Sequence, residues 1–148
     1  LKERKESIAV ADSSCGGLIS AALLSVPGAS VYYVGGIVSY TAVSRMTLLG
    51  ISEDDMAKIG MRASTEPYAA LIAKTVRGKF GTTWAVSETG ASGPTGNRYG
   101  DASGHACFAV SGPVERTITL ETRSSDREAN MWAFTKAALE LLETCLKA

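Results

Sequence analysis

The sequence lacks several features that mark membrane-spanning, secreted or nucleic-acid-binding proteins. No apolar run approaches the roughly 18 residues that a membrane-spanning helix needs. No signal-peptide pattern lies before the first apolar run, and the first residue given is Leu1 and not Met. The formal net charge is zero, because 15 Lys and Arg balance 15 Asp and Glu among 148 residues. Binding to nucleic acid or to an anionic membrane is therefore not expected.

Cysteine is scarce and is not arranged for metal binding. The chain has three, Cys15, Cys107 and Cys145, an odd number without the spacing of a metal site. They are expected to be free thiols in a reducing compartment, which predicts a cytoplasmic protein that holds no metal.

The sequence also lacks the common catalytic motifs. There is no G-x-x-x-x-G-K-[ST], no G-x-G-x-x-G after the first strand and no S-x-x-K. Ser92 misses the nucleophile-elbow pattern G-x-S-x-G by one position. The single histidine, His105, is either a base or a strand-end residue. The second interpretation is favoured, because no acid lies at a spacing that would establish a catalytic triad.

What is present predicts one α/β domain spanning residues 1–148, with 45% apolar residues. A buried strand at 8–11 leads into a helix, and further strands are predicted near 31–38, 83–86, 106–110 and 114–120. Three helical pieces separate the second and third of these strands. A last helix is predicted after the capping box formed by Ser125 and Glu128, and Trp84 and Trp132 are expected to anchor the core.

Three clusters of glycine and hydroxyl residues follow predicted strands, at 12–17, 35–41 and 89–94. Loops at the carboxyl ends of strands tend to meet over one crevice, and small hydroxyl residues suit close approach to a phosphate or ribose. The alternative is that these glycines serve tight turns only. The first cluster holds three candidate nucleophiles, Ser13, Ser14 and Cys15, at a helix start whose free N–H groups can hold an anion.

The same residues resemble the C-terminal domain of CinA (competence-damage-inducible) proteins. Residues 11–17 are similar to that family's A-E-S-C-T-G-G, 26–30 to V-P-G-A-S and 35–40 to G-G-V-V-S-Y. Residues 48–51 resemble L-L-G-V, 89–94 resemble T-G-I-A-G-P, and 126–128 match a late D-R-E. The resemblance covers essentially the whole chain. It implies a three-layer α/β/α domain with a mixed sheet and a nicotinamide-nucleotide amidase, which converts nicotinamide mononucleotide and water to nicotinate mononucleotide and ammonia without a cofactor.

The chain departs from the family at residues that matter for catalysis. Arg45 stands where the family has a lysine, and Asp101 aligns with a second family lysine. A desolvated lysine can act as a general base, whereas an arginine essentially never loses its proton. Arg45 and Arg98 can instead clamp a phosphate.

The resemblance assigns Ser13 as the nucleophile, with Tyr40 and His105 assisting proton transfer and the N–H groups of Gly16 and Gly17 steadying the oxyanion. Cys15 is an alternative nucleophile or a small buried residue of the turn. The candidate catalytic residues are thus Ser13, Tyr40, Arg45 and Cys15. The candidate substrate-binding residues are Asp12, Ser14, Gly16, Gly17, Gly36, Ser39, Thr89, Gly90, Gly93, Arg98 and His105.

Two further points stay open at the sequence level. The chain is either an amidase or a module that binds a pyridine nucleotide or a related phosphate ligand without turnover; a purely structural role is least favoured. Glu88 either orients a catalytic hydroxyl or forms a salt bridge, and Arg127 is assigned to the start of the last helix. Exposed edge strands favour a homo-oligomer, and the expected partner is a small-molecule nucleotide.

Overall fold

The computed structural model describes all residues 1–148. A single five-stranded sheet forms its centre, in the order β2-β1-β3-β4-β5. The strands are β1 (Ile8–Asp12), β2 (Tyr33–Val38), β3 (Trp84–Ala91), β4 (His105–Ser111) and β5 (Arg116–Glu121). The helices are α1 (Leu18–Leu24), α2 (Ala42–Leu49), α3 (Glu53–Lys58), α4 (Glu66–Phe80) and α5 (Arg127–Lys147).

The sheet is mixed, as predicted. β1 pairs in parallel with β2 on one side and with β3 on the other. β3 and β4 are antiparallel, as are β4 and β5. Because β1, β2 and β3 run in the same direction, their carboxyl ends lie at one edge of the sheet and their following loops converge there.

Alternating residues of β1 face two separate cores. Ile8 and Val10 pack in the core beneath α1 and α5, whereas Ala9 and Ala11 face the core beneath α2, α3 and α4. Each layer of helices therefore covers one face of the sheet. This arrangement confirms the predicted α/β fold, and no helix of the structure is both long and apolar enough to cross a membrane.

Three details of the sequence prediction are wrong. β3 continues past Val86 to Ala91, because residues 85–91 find partners along β4. α5 is capped by Asp126, whose side chain accepts from the Ala129 N–H at 3.0 Å, and not by Ser125. Trp132 is 55% exposed on α5 and anchors no core, although Trp84 is buried as expected.

Candidate functional site

A cavity of about 370 Å³ opens at the carboxyl edge of the parallel strands. Ser13 lines it from the turn after β1, and residues between Ser39 and Arg45 line it from the segment after β2. Thr89 and Gly90 line it from the end of β3. Parts of the three clusters predicted from the sequence therefore do meet in one place. The remaining walls come from α3, α4 and the loops before β4, through Glu53, Ala63, Ser64, Tyr68, Asn97, Arg98 and Tyr99.

Two fully buried carboxylates hold the turn that carries Ser13. Glu88 of β3 accepts the backbone N–H groups of Ser13 and Cys15, each at 3.0 Å, and the hydroxyl of Ser14. Asp12, the last residue of β1, accepts the Gly17 N–H through both oxygens, at 2.9 and 3.1 Å. The role left open for Glu88 is thereby defined, since it orients the backbone of the turn and pairs with no cation.

Burial and mutual repulsion disfavour the charged forms of these two acids. Burial, reinforced by the charge of Glu88, raises the pKa of Asp12 to about 7. Burial also raises the pKa of Glu88, and the hydrogen bonds from the turn only partly oppose that effect. The pair therefore retains a proton over part of the neutral range.

The three candidate nucleophiles of the turn have different environments. Ser13 is half-buried at the cavity wall, whereas Ser14 is buried and commits its hydroxyl to Glu88. Cys15 is fully buried in the core beneath α1 and α5. Burial, together with the charge of Glu88, raises the pKa of its thiol far above the ordinary value. Since the thiolate is the reactive form, Cys15 packs the turn and is not a nucleophile.

The glycine N–H groups expected to steady an oxyanion already have acceptors. The Gly16 N–H donates to the Ser13 carbonyl at 3.1 Å, and the Gly17 N–H donates to Asp12. Both glycines have left-handed backbone, with φ of 63° and 94°, which lets the turn fold back into α1. Their role in this structure is to shape the turn, and neither lines the cavity.

Arg45 is the buried cation of the cavity, with 5% of the residue exposed. The capping box between Thr41 and Ser44 starts α2 and places Arg45 one turn into the helix. Its Nε donates to the Ile51 carbonyl at 3.3 Å, while its Nη2 lies 3.7 Å from the Glu53 carboxylate. The nearby Ser39 hydroxyl is fully buried and has no hydrogen-bond partner.

Tyr40 is 60% exposed at the cavity mouth, and its hydroxyl accepts from Arg127 at 3.2 Å. Arg127 also donates to the Gly93 carbonyl. It thus ties the start of α5 to the loops after β2 and β3, beyond its predicted place at a helix start. The D-R-E motif was the sequence signal for this residue.

A third wall comes from the loop before β4. Arg98 donates to Glu53 at 3.2 Å and to the Tyr99 hydroxyl at 2.9 Å. The Thr89 hydroxyl accepts from the Ser64 N–H at 3.0 Å, which joins the end of β3 to the segment before α4. Arg98 and Thr89 therefore lie where the sequence placed them, in the same cavity.

Five predicted binding residues, His105 among them, lie away from the cavity lining, in addition to the two glycines of the turn. Asp12 and Ser14 are buried behind the turn, as described above. A Cβ on Gly36 would lie 2.5 Å from the Ser20 hydroxyl, so this glycine permits packing under α1. Gly93 permits close approach of Ser103, which would lie 2.2 Å from such a Cβ.

His105 is a structural residue and does not reach the cavity. Its Nε2 lies 2.8 Å from the Ser64 carbonyl, and its Nδ1 pairs with Glu121. Burial alone would lower the pKa of His105, but these two acceptors outweigh it and raise that pKa. The strand-end interpretation of His105 fits this geometry, and assistance in proton transfer does not.

The sequence interpretation missed Glu53, Ser64, Tyr68, Asn97 and Tyr99 as lining residues. Tyr68 lies on the buried face of α4, where an aromatic residue is expected to pack in the core, and Glu53 lies in the first turn of α3, where an acid is expected for the helix start. Their only sequence signal is proximity to the glycine clusters, which cannot specify contacts made through folding. No group of three or more His, Cys, Asp or Glu side chains is arranged to hold a metal ion.

Comparisons with known proteins agree on one family. The family model described as the CinA C-terminal domain matches residues 1–146. A CinA-like protein from a Sulfurihydrogenibium species is 45% identical over 146 residues, covering 99% of this chain and 36% of its own length. A CinA-like protein from Thermosynechococcus vestitus is 33% identical, covering 96% of this chain and 34% of its own length. The chain therefore spans about a third of the length of these curated relatives.

Solved structures of the same superfamily share the fold. A competence damage-inducible protein A from Klebsiella pneumoniae superimposes with a TM-score of 0.91 at 22% identity, covering 99% of this chain and 90% of that one. A CinA superfamily protein from Escherichia coli gives 0.87 at 24% identity, covering 96% of this chain and 81% of that one. At these identities the likeness concerns the architecture alone.

Proposed function

This chain belongs to the CinA C-terminal domain family, and on that premise we propose that it is an amidase acting on nicotinamide mononucleotide. The reaction would convert the nucleotide and water to nicotinate mononucleotide and ammonia. The observation that carries the proposal is the position of Ser13, on a turn clamped by two buried carboxylates and in the same cavity as Tyr40 and Arg45. A nucleophile gains from such rigid presentation, because little reorganisation is needed to reach the reacting atom.

In the proposed reaction the Ser13 oxygen attacks the amide carbon and forms an ester while the carbon–nitrogen bond breaks. The proton released by Ser13 passes to the departing nitrogen, which leaves as ammonia. Tyr40 is the cavity residue assigned to this transfer, since its hydroxyl lies at the mouth and is held by Arg127. Water then hydrolyses the ester, releasing the acid product and restoring Ser13.

Arg45 has a different role from the family's lysine in this scheme. An arginine side chain is a permanent cation, so this residue binds negative charge and does not remove a proton. Arg45 and Arg98 both approach the same Glu53 oxygen, at 3.7 and 3.2 Å, and so lie close enough to share one anionic group. This supports the phosphate of a nucleotide as the charged part of the ligand.

The second candidate function is binding of the same nucleotide without turnover, and Arg45 is the observation that favours it. The two candidates differ in one measurement, which is ammonia release from nicotinamide mononucleotide by the purified protein. For the amidase we expect release by the wild-type chain and a loss of at least about a thousandfold in Ser13→Ala, by analogy with removal of other serine nucleophiles. Ser25→Ala, at an exposed serine after α1, is the matched control and should keep full activity.

Thermal shift separates binding from catalysis in the same samples. Ser13→Ala should still be stabilised by the nucleotide, because ligand that binds only the folded state raises its stability. No turnover by the wild-type chain, together with activity appearing in Arg45→Lys, would reject the amidase and leave the binding module. A shift with substrate and product but turnover of neither would do the same.

Two further expectations, on localisation and on self-association, accompany this proposal. We propose that the protein acts in the cytoplasm, supported by three buried free thiols. We also propose self-association, supported by the exposed Val34 and Val38 on the edge strand β2. Light scattering over a concentration series would test the second, with a monomeric mass at all concentrations contradicting it.

A further inference from the structure

The cavity contains a buried cation whose hydrogen-bonding groups are largely unused. Arg45 is 95% buried, yet its guanidinium makes a single hydrogen bond, from Nε to the Ile51 carbonyl. The Nη2 atom lies 3.7 Å from Glu53, beyond ordinary hydrogen-bond length. A buried guanidinium carries a large desolvation cost unless its N–H groups find acceptors. The guanidinium also lies over the Tyr68 ring, with its carbon 5.9 Å from the ring centroid, but its Nη1 and Nη2 groups make no hydrogen bond. These N–H groups therefore mark a position where an acceptor is expected.

A second donor in the same cavity is also unpartnered. The Ser39 hydroxyl is fully buried, lines the cavity and has no hydrogen-bond partner. Buried polar groups are rarely left without a partner unless water or a ligand supplies one. Arg45 and Ser39 thus give two independent observations in the same cavity. A guanidinium can only donate and a hydroxyl can also donate, so a ligand with acceptor oxygens would satisfy both.

Glu53 partly fills this position. One of its oxygens lies 3.2 Å from Arg98 Nη2 and 3.7 Å from Arg45 Nη2. Its side chain is 56% exposed, and its contacts are limited to these two cations. A carboxylate placed between two guanidinium groups through a single oxygen, on an exposed side chain, is a weak partner. A ligand oxyanion with several oxygens would satisfy both guanidinium groups better.

We infer that Glu53 is a built-in competitor for an anion subsite formed by Arg45, Arg98 and Ser39, and that it sets the affinity of the cavity for oxyanions. An entering phosphate monoester displaces the Glu53 side chain toward solvent and takes over both guanidinium groups. Ligands without such a group do not compete with Glu53 and leave it in place. The inference depends on the anion-binding half of the proposed function and is independent of turnover.

The test compares Glu53→Gln with Asp54→Asn by titration calorimetry. Asp54 is the next residue of α3, carries the same charge and lies outside the cavity lining, so its variant controls for the change in net charge. Both substitutions are placed in a Ser13→Ala background, so that turnover does not consume the ligand. The probes are inorganic phosphate, nicotinamide mononucleotide and nicotinamide riboside, which lacks the phosphate.

Glu53→Gln should bind phosphate and the mononucleotide about three- to tenfold more tightly than the background, which is the range expected for relief of two partly exposed ion pairs. Asp54→Asn should stay within about twofold of the background, and the riboside should show no gain in either variant. Added salt should reduce the gain, because the competing interactions are electrostatic.

Other outcomes overturn the inference. An equal gain in both variants would make it a net-charge effect, and an equal gain for the riboside would remove the phosphate from the explanation. Weaker phosphate binding in Glu53→Gln would mean that Glu53 positions the arginines instead of competing for them. Ammonia release by the wild-type chain, without measurable phosphate binding in the Ser13→Ala background, would overturn this inference while supporting the amidase. Tighter binding in Glu53→Gln, with no ammonia release by the wild-type chain, would do the reverse.

Discussion

At the scale of single residues, the shape of the Ser13 turn depends on two acids that no solvent reaches. Asp12 and Glu88 accept four donors of the turn between them. Each hydrogen bond to a charged group is worth more than a neutral one, but each buried charge is costly. As a result, both carboxyls have raised pKa values, and both accept hydrogen bonds directly from the backbone of the turn that carries the candidate nucleophile.

Asp12→Asn should alter how stability depends on pH. The pKa of Asp12 is about 7 in the folded chain and 3.8 without the protein's influence. Between these values the folded chain keeps a proton that the unfolded chain has released, so Asp12 makes the free energy of unfolding fall as pH rises from 4 to 7. The maximum fall is about 4 kcal/mol for one carboxyl. Asparagine does not titrate, and its oxygen can still accept the Gly17 N–H.

The measurement is urea unfolding of both proteins at pH 4, 6 and 8. The free energy of unfolding of Asp12→Asn, minus that of the wild type, should grow by about 2–4 kcal/mol from pH 4 to pH 8. Asp54→Asn, which removes an exposed carboxylate of α3, serves as control and should show a difference that stays nearly constant over this pH range. A constant difference for Asp12→Asn as well would contradict a raised pKa.

Some residue roles can be predicted from the sequence and others cannot. Arg45 was recognisable as an arginine in a lysine position, and its loss of base chemistry follows from the side chain alone. Cys15 and His105 were not decidable, because their roles depend on burial and on acceptors far along the chain. Glu88 lies 75 residues from the Ser13 N–H that it accepts.

At the scale of elements, the short strand β2 is shaped by glycines that let neighbours approach. A Cβ on Gly36 would lie 2.5 Å from the Ser20 hydroxyl of α1 and 2.7 Å from the Tyr33 hydroxyl. Real Cβ atoms essentially never come this close, so the Ser20 and Tyr33 side chains would have to shift, and Val10, with its Cβ 3.3 Å away, leaves little room for them. The glycine cluster after the second predicted strand thus contributes to packing as well as to the cavity.

Gly36→Ala should therefore destabilise the protein by about 1–3 kcal/mol, the usual cost of overpacking a tight contact. Gly78→Ala is the matched control, because nothing lies within 4 Å of a Cβ there and the position is inside α4. That substitution should stabilise by about 0.5–1 kcal/mol. Guanidinium unfolding of the two variants measures both values. A Gly36→Ala protein as stable as Gly78→Ala would contradict the close packing of α1 on β2.

Most helix starts can be predicted from local sequence. Thr41, Ser52 and Thr65 cap α2, α3 and α4, each by accepting a backbone N–H of the turn that follows it, and such caps are specified by neighbouring residues alone. The start of α5 was misassigned by one residue. Ser125 and Asp126 are both residue types that cap helices well, and Asp126 takes that position here. The Asn130 side chain donates to the Ser92 and Ser124 carbonyls at 2.9 Å each, so the segment before α5 is also held by a contact with the loop after β3, which local sequence does not specify.

At the scale of the whole molecule, the strand order places β1 and β3 at the centre. β1 has a partner on each side and both of its faces are buried, whereas β2 and β5 each have one free edge. Roughly half of the N–H groups on an edge strand have no ladder partner. The turn that carries Ser13 therefore follows an interior strand, while the outer strands are free to open locally.

Hydrogen exchange followed by mass spectrometry should show this gradient. Peptides covering β1 and β3 should exchange last, at a rate set by global unfolding, and those covering β2 and β5 should exchange earlier. Exchange of β2 as slow as that of β1 in a dilute sample would contradict the order. Slowing of β2 alone with rising protein concentration would support self-association through that edge.

The sequence by itself determined most of the elements and their order, because alternation, helical periodicity and capping are local properties of the chain. That three loops would meet was an expectation from the general rule for parallel strands, with tight turns as the alternative. The sequence also determined that Arg45 cannot act as a base, since that follows from the guanidinium itself. Only the tertiary structure decided that Cys15 is shielded, that the Gly16 and Gly17 N–H groups are occupied, and that Glu53 lies between two arginines. These facts concern solvent access and distant acceptors, and both exist only once separate segments have been brought together by folding.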